Sequence, residues 1–290
     1  METFKYHMPG ALDEAVSLME SAGENALYIA GGTDVMVRIK EGWARPDALI
    51  SLNRIKELNA LELDSDSGEL RIGSRTTHRA LETSAMIQSR FPIIHDAVSN
   101  IGSVQVRNVG TMGGNVANAA PSADGAVPLL ALDARVEIHG AGGARQVGIA
   151  DFFVGPGQTV LKKSDILTRF VIPKKEPASA GAYAKFSRRA AMELPIVGTG
   201  VLLALEEDGV TCKKARICLG VAAPTPMRAK KAEAFLTGKA VDEAALGKAG
   251  EIAAAESKVR DSARGRAWHR REIIRVNVRR MGLKCLERIA

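Results

Sequence analysis

Two short segments, each holding a pair of glycines, limit most strongly how this chain can fold. Residues 30–34 read AGGTD and residues 111–115 read TMGGN. Two adjacent glycines let a backbone bend sharply and approach another group closely. Small hydroxyl, amide and carboxylate side chains surround each pair, and such side chains bond phosphates and hydroxyls. Each segment is therefore either a tight structural turn or a loop lying against a ligand. Neither segment has a nucleophile or a metal-binding motif beside it, so the ligand that we expect is a dinucleotide, and a flavin is favoured.

The length and composition are those of an ordinary globular protein. The chain has 290 residues, of which 46% are hydrophobic and 25% are charged. A chain of this length buries a full core and is expected to hold two domains. No apolar run reaches membrane-spanning length, and the first residues lack the pattern of a secretory signal. We therefore expect a cytoplasmic protein.

The cysteines and histidines do not predict a metal centre. Cys212, Cys218 and Cys285 form no C-x-x-C pair, and the five histidines are scattered without ligand spacing. Three separated cysteines are too few for an iron–sulfur cluster within the chain. Cys212 and Cys218 are expected to be packed thiols, although a disulfide between them remains an alternative that a cytosolic setting disfavours.

A basic segment near the end of the chain carries much of the net charge of +7. Within residues 260–288, Ile274, Val278, Met281 and Cys285 recur every three or four positions. This spacing predicts an amphipathic helix with a basic outer face. That face is a solvated surface, a contact for a protein partner or a nucleic-acid contact, and the scarcity of Tyr and Trp argues against single-strand binding. The two tryptophans are predicted to be packing residues.

The hydrophobic pattern predicts alternating strands and helices in the first half of the chain and strands followed by helices in the second. The predicted strands of the first half are 4–8, 27–30, 48–52, 70–72, 136–139, 147–149 and 166–172. The predicted helices there are 13–21, 35–40, 79–89, 92–100 and 127–132. Three further strands are predicted at 182–186, 198–205 and 215–221, after a connector at 174–180. Thr33 is predicted to cap the helix 35–40.

The first glycine segment follows a predicted strand and precedes a predicted helix. A strand, a glycine turn and a helix start place several unpaired N–H groups together, which favours an anion such as a pyrophosphate. The segment is not the G-x-G-x-x-G fingerprint, so a Rossmann fold loses support. Asp34 would repel a phosphate if it pointed inward, and it is expected to face outward or to cap the helix.

The second glycine segment lies in a longer run, residues 105–124, in which most side chains are small. Small side chains admit the body of a cofactor. Thr111, Asn115 and Asp124 could bond ribityl hydroxyls or phosphate oxygens. The alternative is a tight loop packed between sheets.

Taken together, these segments resemble the FAD-binding subunit of the molybdenum hydroxylases. That family includes aerobic carbon monoxide dehydrogenase, xanthine dehydrogenase and 4-hydroxybenzoyl-CoA reductase. The similarity is carried, in order along nearly the whole chain, by residues 30–34, 101–115, 121–124, 165–173 and 220–229. The chain lacks the cysteine-rich insertion that holds a [4Fe–4S] cluster in some 4-hydroxybenzoyl-CoA reductases, so that variant is not expected.

The resemblance implies an α+β fold in two domains. Residues 1–176 would form a PCMH-type FAD-binding domain with subdomains of about 1–55 and 56–176. Residues 177–290 would form a C-terminal domain built from an antiparallel sheet and helices. FAD would lie between the domains.

The resemblance also assigns residues to the parts of FAD. Those implied to surround the pyrophosphate are Tyr28, Ile29, Ala30, Gly31, Gly32, Thr33, Asp34 and Val35. Those implied near the phosphate, ribityl and flavin parts are Ile101, Thr111, Gly113, Gly114, Asn115, Asp124 and Lys185. Ile166 and Leu167 would line the adenine, and Leu194 falls near the position that covers the isoalloxazine ring. No catalytic and no metal-binding residue is implied.

By this resemblance the chain is an electron-transfer subunit of a larger oxidoreductase. Its partners would be a large molybdopterin subunit and a small [2Fe–2S] subunit, and the expected assembly is a dimer of heterotrimers. The complex would pass electrons to an external acceptor. Neither a nucleic-acid partner nor a membrane span is expected. Residues 187–189 (SRR) either stabilise an anionic reduced flavin or form a solvated basic turn. The alternatives are a self-contained flavin oxidoreductase and a cofactor-free assembly module.

Overall fold

A small parallel sheet opens the fold in the computed structural model, which describes residues 3–290. Its strands are β1 (Lys5–His7), β2 (Leu27–Ile29) and β3 (Ala48–Ser51), in the order β1-β3-β2. Helix α1 (Leu12–Ser21) links β1 to β2, and helix α2 (Val35–Lys40) links β2 to β3. Parallel strands need such crossovers because each must return to the same end of the sheet. Two short 3-10 helices, Leu52–Arg54 and Lys56–Asn59, lead out of it.

A five-stranded antiparallel sheet follows, with the order β4-β5-β10-β6-β7. Its strands are β4 (Leu61–Leu63), β5 (Leu70–Gly73), β6 (Arg135–Gly140), β7 (Gly143–Gly148) and β10 (Ile166–Ile172). A two-stranded ribbon, β8 (Phe153–Gly155) with β9 (Gln158–Thr159), lies beside it. Strand β10 is the central strand, and all of its residues except Arg169 are buried.

Short helices connect β5 to β6 and carry the second glycine segment. They are α3 (His78–Thr83), α4 (Ala85–Arg90), α5 (Pro92–Val98), α6 (Val104–Val109), α7 (Met112–Ala117) and α8 (Ala126–Ala131). A single turn, α9 (Ile149–Phe152), follows β7. The helix predicted at 79–89 divides at Ser84, whose extended backbone ends α3 while its hydroxyl oxygen accepts from Ile87 N at 3.4 Å and starts α4.

The last part of the chain is an antiparallel sheet covered by helices. Its strands run in the order β11 (Ser179–Phe186), β12 (Val197–Leu205), β13 (Cys212–Gly220) and β14 (Met227–Arg228). Helices α10 (Lys230–Leu236), α11 (Glu243–Glu256) and α12 (Ala267–Ile289) follow. The predicted order of strands and then helices is confirmed, as is the α+β class.

Three hydrophobic clusters form the interior, one for each of the three larger sheets. The first sheet packs around Ile50 and Leu58, the second around Phe152 and Phe170, and the third with its helices around residues such as Ile274. Tyr183 of β11 and Cys218 of β13 belong to the second cluster. The C-terminal sheet therefore packs directly against the five-stranded sheet's helices.

The C-terminal helix has the predicted apolar face, whereas the predictions for one arginine and for the two tryptophans are corrected. Val278 and Cys285 are buried on one face of α12, as the spacing predicts. Arg270 belongs to the basic segment 260–288 but is buried, and its guanidinium donates to the Ile196 carbonyl and the Ser262 hydroxyl. Trp43 and Trp268, predicted to pack, are 73% and 69% exposed. All three cysteines are buried free thiols.

Ion pairs join the two halves of the chain. Asp96 of α5 accepts from Arg288 of α12 at 2.8 and 2.9 Å. Asp133, in the turn before β6, accepts from Arg216 of β13 at 2.9 Å. Such bidentate pairs fix orientation as well as distance. Across residues 3–290, none of the helices is both long enough and apolar enough to cross a membrane.

Candidate functional site

The first glycine loop, residues 30–34, leaves edge strand β2 and leads into α2. All three residues of the strand are half-buried. Gly32 has a φ of +72°, a conformation that glycine adopts without strain. Within the described chain, the N–H groups of residues 31–34 donate no hydrogen bond to the protein. Four free donors at one bend suit an anion with several oxygens.

The first glycine loop touches the residues on either side of the second. A Cβ on Gly31 would lie 1.9 Å from the carbonyl oxygen of Val109, so only glycine permits this contact. Asn118 Nδ2 donates to Asp34 Oδ1 at 3.1 Å and adds a second link. Asp34 also occupies the N-cap position of α2 without a side-chain capping bond, so the expectation that Thr33 caps this helix is wrong. The Asp34 carboxylate is bound to Asn118 at the end of α7, the helix that contains the second glycine pair.

The second loop, residues 111–115, uses its backbone to hold itself in place. Met112 N donates to Thr76 O at 3.0 Å and Gly113 N donates to Ser74 O at 2.8 Å. A Cβ on Gly113 would come 2.5 Å from the Ser74 Cβ, so this glycine serves the fold. Gly114 differs, because it is exposed and a Cβ there would meet only the Thr111 hydroxyl. The open side of the loop is thus at Gly114.

The polar side chains of the second loop keep donors to spare. Thr111 Oγ1 accepts from Gly114 N at 3.0 Å and caps α7, while Asn115 Oδ1 accepts from Gly125 N at 3.1 Å. These bonds use the acceptor atoms. The hydroxyl hydrogen of Thr111 and the amide hydrogens of Asn115 remain as donors, which match the acceptor oxygens of a phosphate or a ribityl chain.

Asp124 lies in a buried polar cluster at the seam between loop and C-terminal sheet. Tyr183 Oη donates to Asp124 Oδ1 at 2.5 Å, and Lys185 Nζ donates to Asp124 Oδ2 at 2.9 Å. Lys185 Nζ also donates to the carbonyl oxygen of Asn100 at 2.9 Å. Burial raises the pKa of the Asp124 carboxyl, an effect that Lys185 and Tyr183 oppose. The bonds expected from Asp124 to a ligand are therefore made to the protein.

The turn at Ile101 is held by a buried arginine. Arg107 of α6 donates to both carboxylate oxygens of Glu82 and to the Ile101 carbonyl at 3.0 Å. His78 lies beside this pair, and its backbone N–H donates to Gly110 O at 2.9 Å. Burial, with a contribution from Arg107, lowers the pKa of His78 to about 4. The imidazole is thus neutral and fills the space next to the glycine loops.

The residues implied near the adenine adjoin the first loop. The Tyr28 hydroxyl donates to Ser164 O at 3.0 Å, which ties β2 to the start of β10. Ile166 and Leu167 follow at once, and both side chains are buried in the protein core. A ligand could therefore contact only their backbone, since at residues 166–167 strand β10 is paired with β6 but not with β5.

The connection from β11 to β12 extends across the Ile101 turn. Met192 N donates to Gly102 O at 3.4 Å. Leu194 is 46% exposed, so it is free to cover a ligand. Arg188 and Arg189 both pair with Glu193, at 3.2 and 2.9 Å. Part of their positive charge is neutralised within the connection itself.

Sequence reasoning missed the residues that join these segments. Asn118 lies within the small-residue run, where an amide was the available signal. Tyr183 precedes Lys185 by two positions, and residues two apart on a strand share a face. Nothing in the sequence pointed to Ser74 and Thr76, because they bond the second loop through backbone carbonyl oxygens, which every residue has.

Comparison with known proteins decides the family. A family model described as the FAD binding domain in molybdopterin dehydrogenase matches residues 2–175. The chain belongs to this family. It is therefore an FAD-binding oxidoreductase subunit of the molybdenum hydroxylases. A second model, the carbon monoxide dehydrogenase flavoprotein C-terminal domain, matches residues 181–285.

Named relatives agree with this assignment. The xanthine dehydrogenase FAD-binding subunit of Escherichia coli O157:H7 is 37% identical over 229 residues, which are 79% of this chain and 77% of that protein. The carbon monoxide dehydrogenase medium chain of Hydrogenophaga pseudoflava is 31% identical over 264 residues, which are 91% of this chain and 90% of that protein. A solved carbon monoxide dehydrogenase from that organism matches with a TM-score of 0.93 over 100% of this chain and 99% of its own.

Proposed function

We propose that this chain holds FAD where its two glycine loops meet and relays electrons from a [2Fe–2S] subunit to an external acceptor. The observation that carries the proposal is the set of four free N–H groups at residues 31–34, held close to the second loop by the contact of Gly31 with Val109 at the end of α6. The chain's relatives include medium chains of dehydrogenases. The large partner would carry the molybdopterin, and a dimer of heterotrimers is the assembly we propose.

The residues present suit FAD. The N–H groups of residues 31–34 would donate to the pyrophosphate, together with the Thr111 hydroxyl and the Asn115 amide. Gly114 would leave room for the cofactor against α7, because it is exposed and only the Thr111 hydroxyl lies near its Cβ position. Ile166 and Leu167 would flank the adenine, and Ile101 and Leu194 would lie near the flavin. When bound, FAD supplies the two-electron redox chemistry, and the protein supplies orientation and electrostatics.

Lys185 and Asp124 would act as a fixed pair beside the flavin. Each side chain is about one-twentieth exposed, so their charges compensate each other in a region of low dielectric constant. Tyr183 holds the Asp124 carboxylate from the other side. We propose that the pair keeps the seam between loop and sheet closed and sets the electrostatic potential at the ring. No side chain is needed as a general acid or base.

Reduction of the purified protein tests this function. The chain is purified with its flavin, and the flavin is mixed anaerobically first with an oxidisable small substrate and then with the reduced iron–sulfur subunit of its own complex. Fast reduction by the subunit and none by the substrate is the expected result. Reduction by the substrate would mean a self-contained oxidoreductase, and a colourless protein that binds no FAD would mean an assembly module.

A further inference from the structure

Strand β11 of the C-terminal sheet has one edge without a neighbouring strand, and two charged side chains bond it there. β11 is the outermost strand of its sheet and pairs only with β12. On its other edge, Tyr183 N donates to Asp96 Oδ2 at 3.1 Å, and Gly181 O accepts from Arg288 Nη1 at 2.6 Å. The edge of a sheet otherwise presents unpaired N–H and C=O groups. The Asp96 and Arg288 side chains therefore take the place of a neighbouring strand.

Asp96 and Arg288 belong to helices on opposite faces of β11. Ala182 packs in the same hydrophobic cluster as Cys285 of α12, whereas Tyr183 packs in the cluster that contains the buried side of α5. Neighbouring residues of a strand point to opposite faces. Arg288 thus reaches past the edge of β11 to the α5 face, where it donates to Asp96 Oδ2 and Oδ1 at 2.8 and 2.9 Å. We call Asp96 and Arg288 the edge clamp.

The edge clamp adjoins the buried pair of Lys185 and Asp124. Lys185 follows Tyr183 by two positions and lies on the same face of β11. Its ammonium donates to Asn100 O and to Asp124 Oδ2, both at 2.9 Å. The side-chain amide of Asn100 in turn donates to Asp96 O at 2.7 Å. Asp96 is thus linked to Lys185 by two routes, one through the backbone of β11 and one through Asn100.

The edge clamp is largely shielded from water. The Asp96 side chain is 11% exposed and that of Arg288 is 23% exposed. A bidentate guanidinium–carboxylate pair fixes orientation as well as distance, and partial burial reduces the screening of its charges by salt. Lys284 Nζ lies 3.6 Å from Asp96 Oδ1. Loss of the Arg288 guanidinium would therefore leave a cation near the Asp96 carboxylate, but it would free the edge of β11.

We infer that Asp96 and Arg288 are positioning residues for the flavin, because they hold β11 where Lys185 bonds Asp124. This rests on the proposed function, which places that buried pair beside the cofactor. In a region of low dielectric constant, a small displacement of a charge changes the nearby potential more than it would in water. The last turn of α12, which is far from Lys185 in the sequence, therefore contributes to the geometry and the electrostatics of the flavin site.

Hydrogen–deuterium exchange tests whether the edge clamp holds β11. In Arg288→Gln, the β11 amides, which include Tyr183 N–H, should exchange at least about tenfold faster than in the wild-type full chain. Arg279→Gln is the matched control, because Arg279 Nη1 donates to Glu243 Oε1 at 2.6 Å and joins the same helix to α11. Its β11 amides should exchange at the wild-type rate. Equal rates in the wild type and Arg288→Gln would contradict the inference.

A double-mutant cycle tests whether the edge clamp acts through the buried pair. Titration of the flavin-free full chain with FAD should give a dissociation constant about tenfold higher for Arg288→Gln than for the wild type, and an unchanged one for Arg279→Gln. The background for the cycle is a neutral-pair chain with Lys185→Gln and Asp124→Asn, which leaves no buried charge unpaired. In that background, Arg288→Gln should change the dissociation constant by less than about twofold and leave the flavin absorption spectrum unchanged.

The same measurements separate the edge clamp from the proposed function. A wild-type chain that binds no FAD contradicts the proposed function and the inference with it, and so does a neutral-pair chain with the wild-type affinity and flavin spectrum. If the wild type binds FAD and the neutral-pair chain binds it less tightly, only the edge clamp is in question. An effect of Arg288→Gln that is absent, or equal in the two backgrounds, then shows a merely structural role and overturns the inference alone.

Discussion

The two glycine loops have similar composition and different structural roles. Residues 30–34 leave four N–H groups without an acceptor in the described chain, whereas residues 111–115 bond theirs to Ser74, Thr76 and Thr111. The first loop therefore offers donors to a ligand. The second forms a scaffold for the first, and its own open face is confined to Gly114 and the Thr111 and Asn115 side chains. A glycine pair alone does not distinguish these roles.

The cause of the difference lies in the neighbouring backbone. Loop 30–34 leaves β2, an edge strand, so no further strand lies beside its bend. Loop 111–115 runs antiparallel to residues 74–77, with a bridge between Thr77 and Thr111. Backbone groups that face another strand are paired, and those at a free bend are not.

Gly31→Ala should have the largest effect. The new methyl group would overlap the Val109 carbonyl and force the loops apart, at a cost of about 3 kcal/mol, and FAD retention should be lost. Flavin absorbance and thermal melting measure both effects. Gly32→Ala is the control, because its methyl group would contact only side chains. Its positive φ should still cost about 1 kcal/mol once the residue carries a side chain. Normal FAD affinity in Gly31→Ala would show that the loops need not touch.

Acidification should loosen the second loop through His78. The unfolded imidazole binds a proton below pH 6.5, whereas the folded one does so only near its pKa of about 4. The free energy of unfolding should therefore fall by roughly 2–3 kcal/mol as pH falls from 6.5 to 4, since a tenfold difference in proton affinity between the folded and unfolded protein corresponds to about 1.4 kcal/mol. Denaturant titrations across this range, with His78→Gln as reference, measure the change. Identical pH profiles would refute a neutral, buried His78.

Gly114→Val should lower FAD affinity by roughly 10–100-fold, or about 1.4–2.7 kcal/mol, by filling the open side of the second loop. The fold should survive, with a small loss from crowding of the Thr111 cap. Gly113→Ala should act mainly on stability and not on FAD contact, because its methyl group would overlap Ser74 and lower the melting temperature. Isothermal titration with FAD and thermal melting separate the two variants. Undisturbed FAD binding in Gly114→Val would remove the cofactor from this face.

The link between the loops should have the smallest effect. Asp34→Ala and Asn118→Ala each remove one hydrogen bond at an exposed site, and each should weaken FAD binding about two- to fivefold. The double variant should lose no more than either single one, with a coupling energy of about 0.5–1 kcal/mol. Additive losses in this double-mutant cycle would mean that the bond does not join the loops.

Much of the fold and part of the site could be predicted from the sequence. Apolar segments predicted strands at 48–52, 166–172 and 198–205, within one residue of those observed, because buried strands are rich in hydrophobic residues. The break at Ser84 was missed, since a serine is compatible with both a helix interior and a cap. The exposure of Trp43 and Trp268 was predicted wrongly, because a large apolar side chain gives the same signal in a core and in a contact surface.

The sequence by itself determined the family, the cofactor and the two segments that form the candidate site. Glycines and small polar residues are constraints on local backbone geometry, and local constraints are written in adjacent residues. The tertiary structure alone decided which loop keeps its N–H groups free, which glycine faces outward, and that Asp124 bonds Tyr183 and Lys185. These outcomes depend on pairings between residues that lie tens of positions apart in the sequence. The sequence does not show which backbone N–H groups are paired, because every residue except proline carries the same donor.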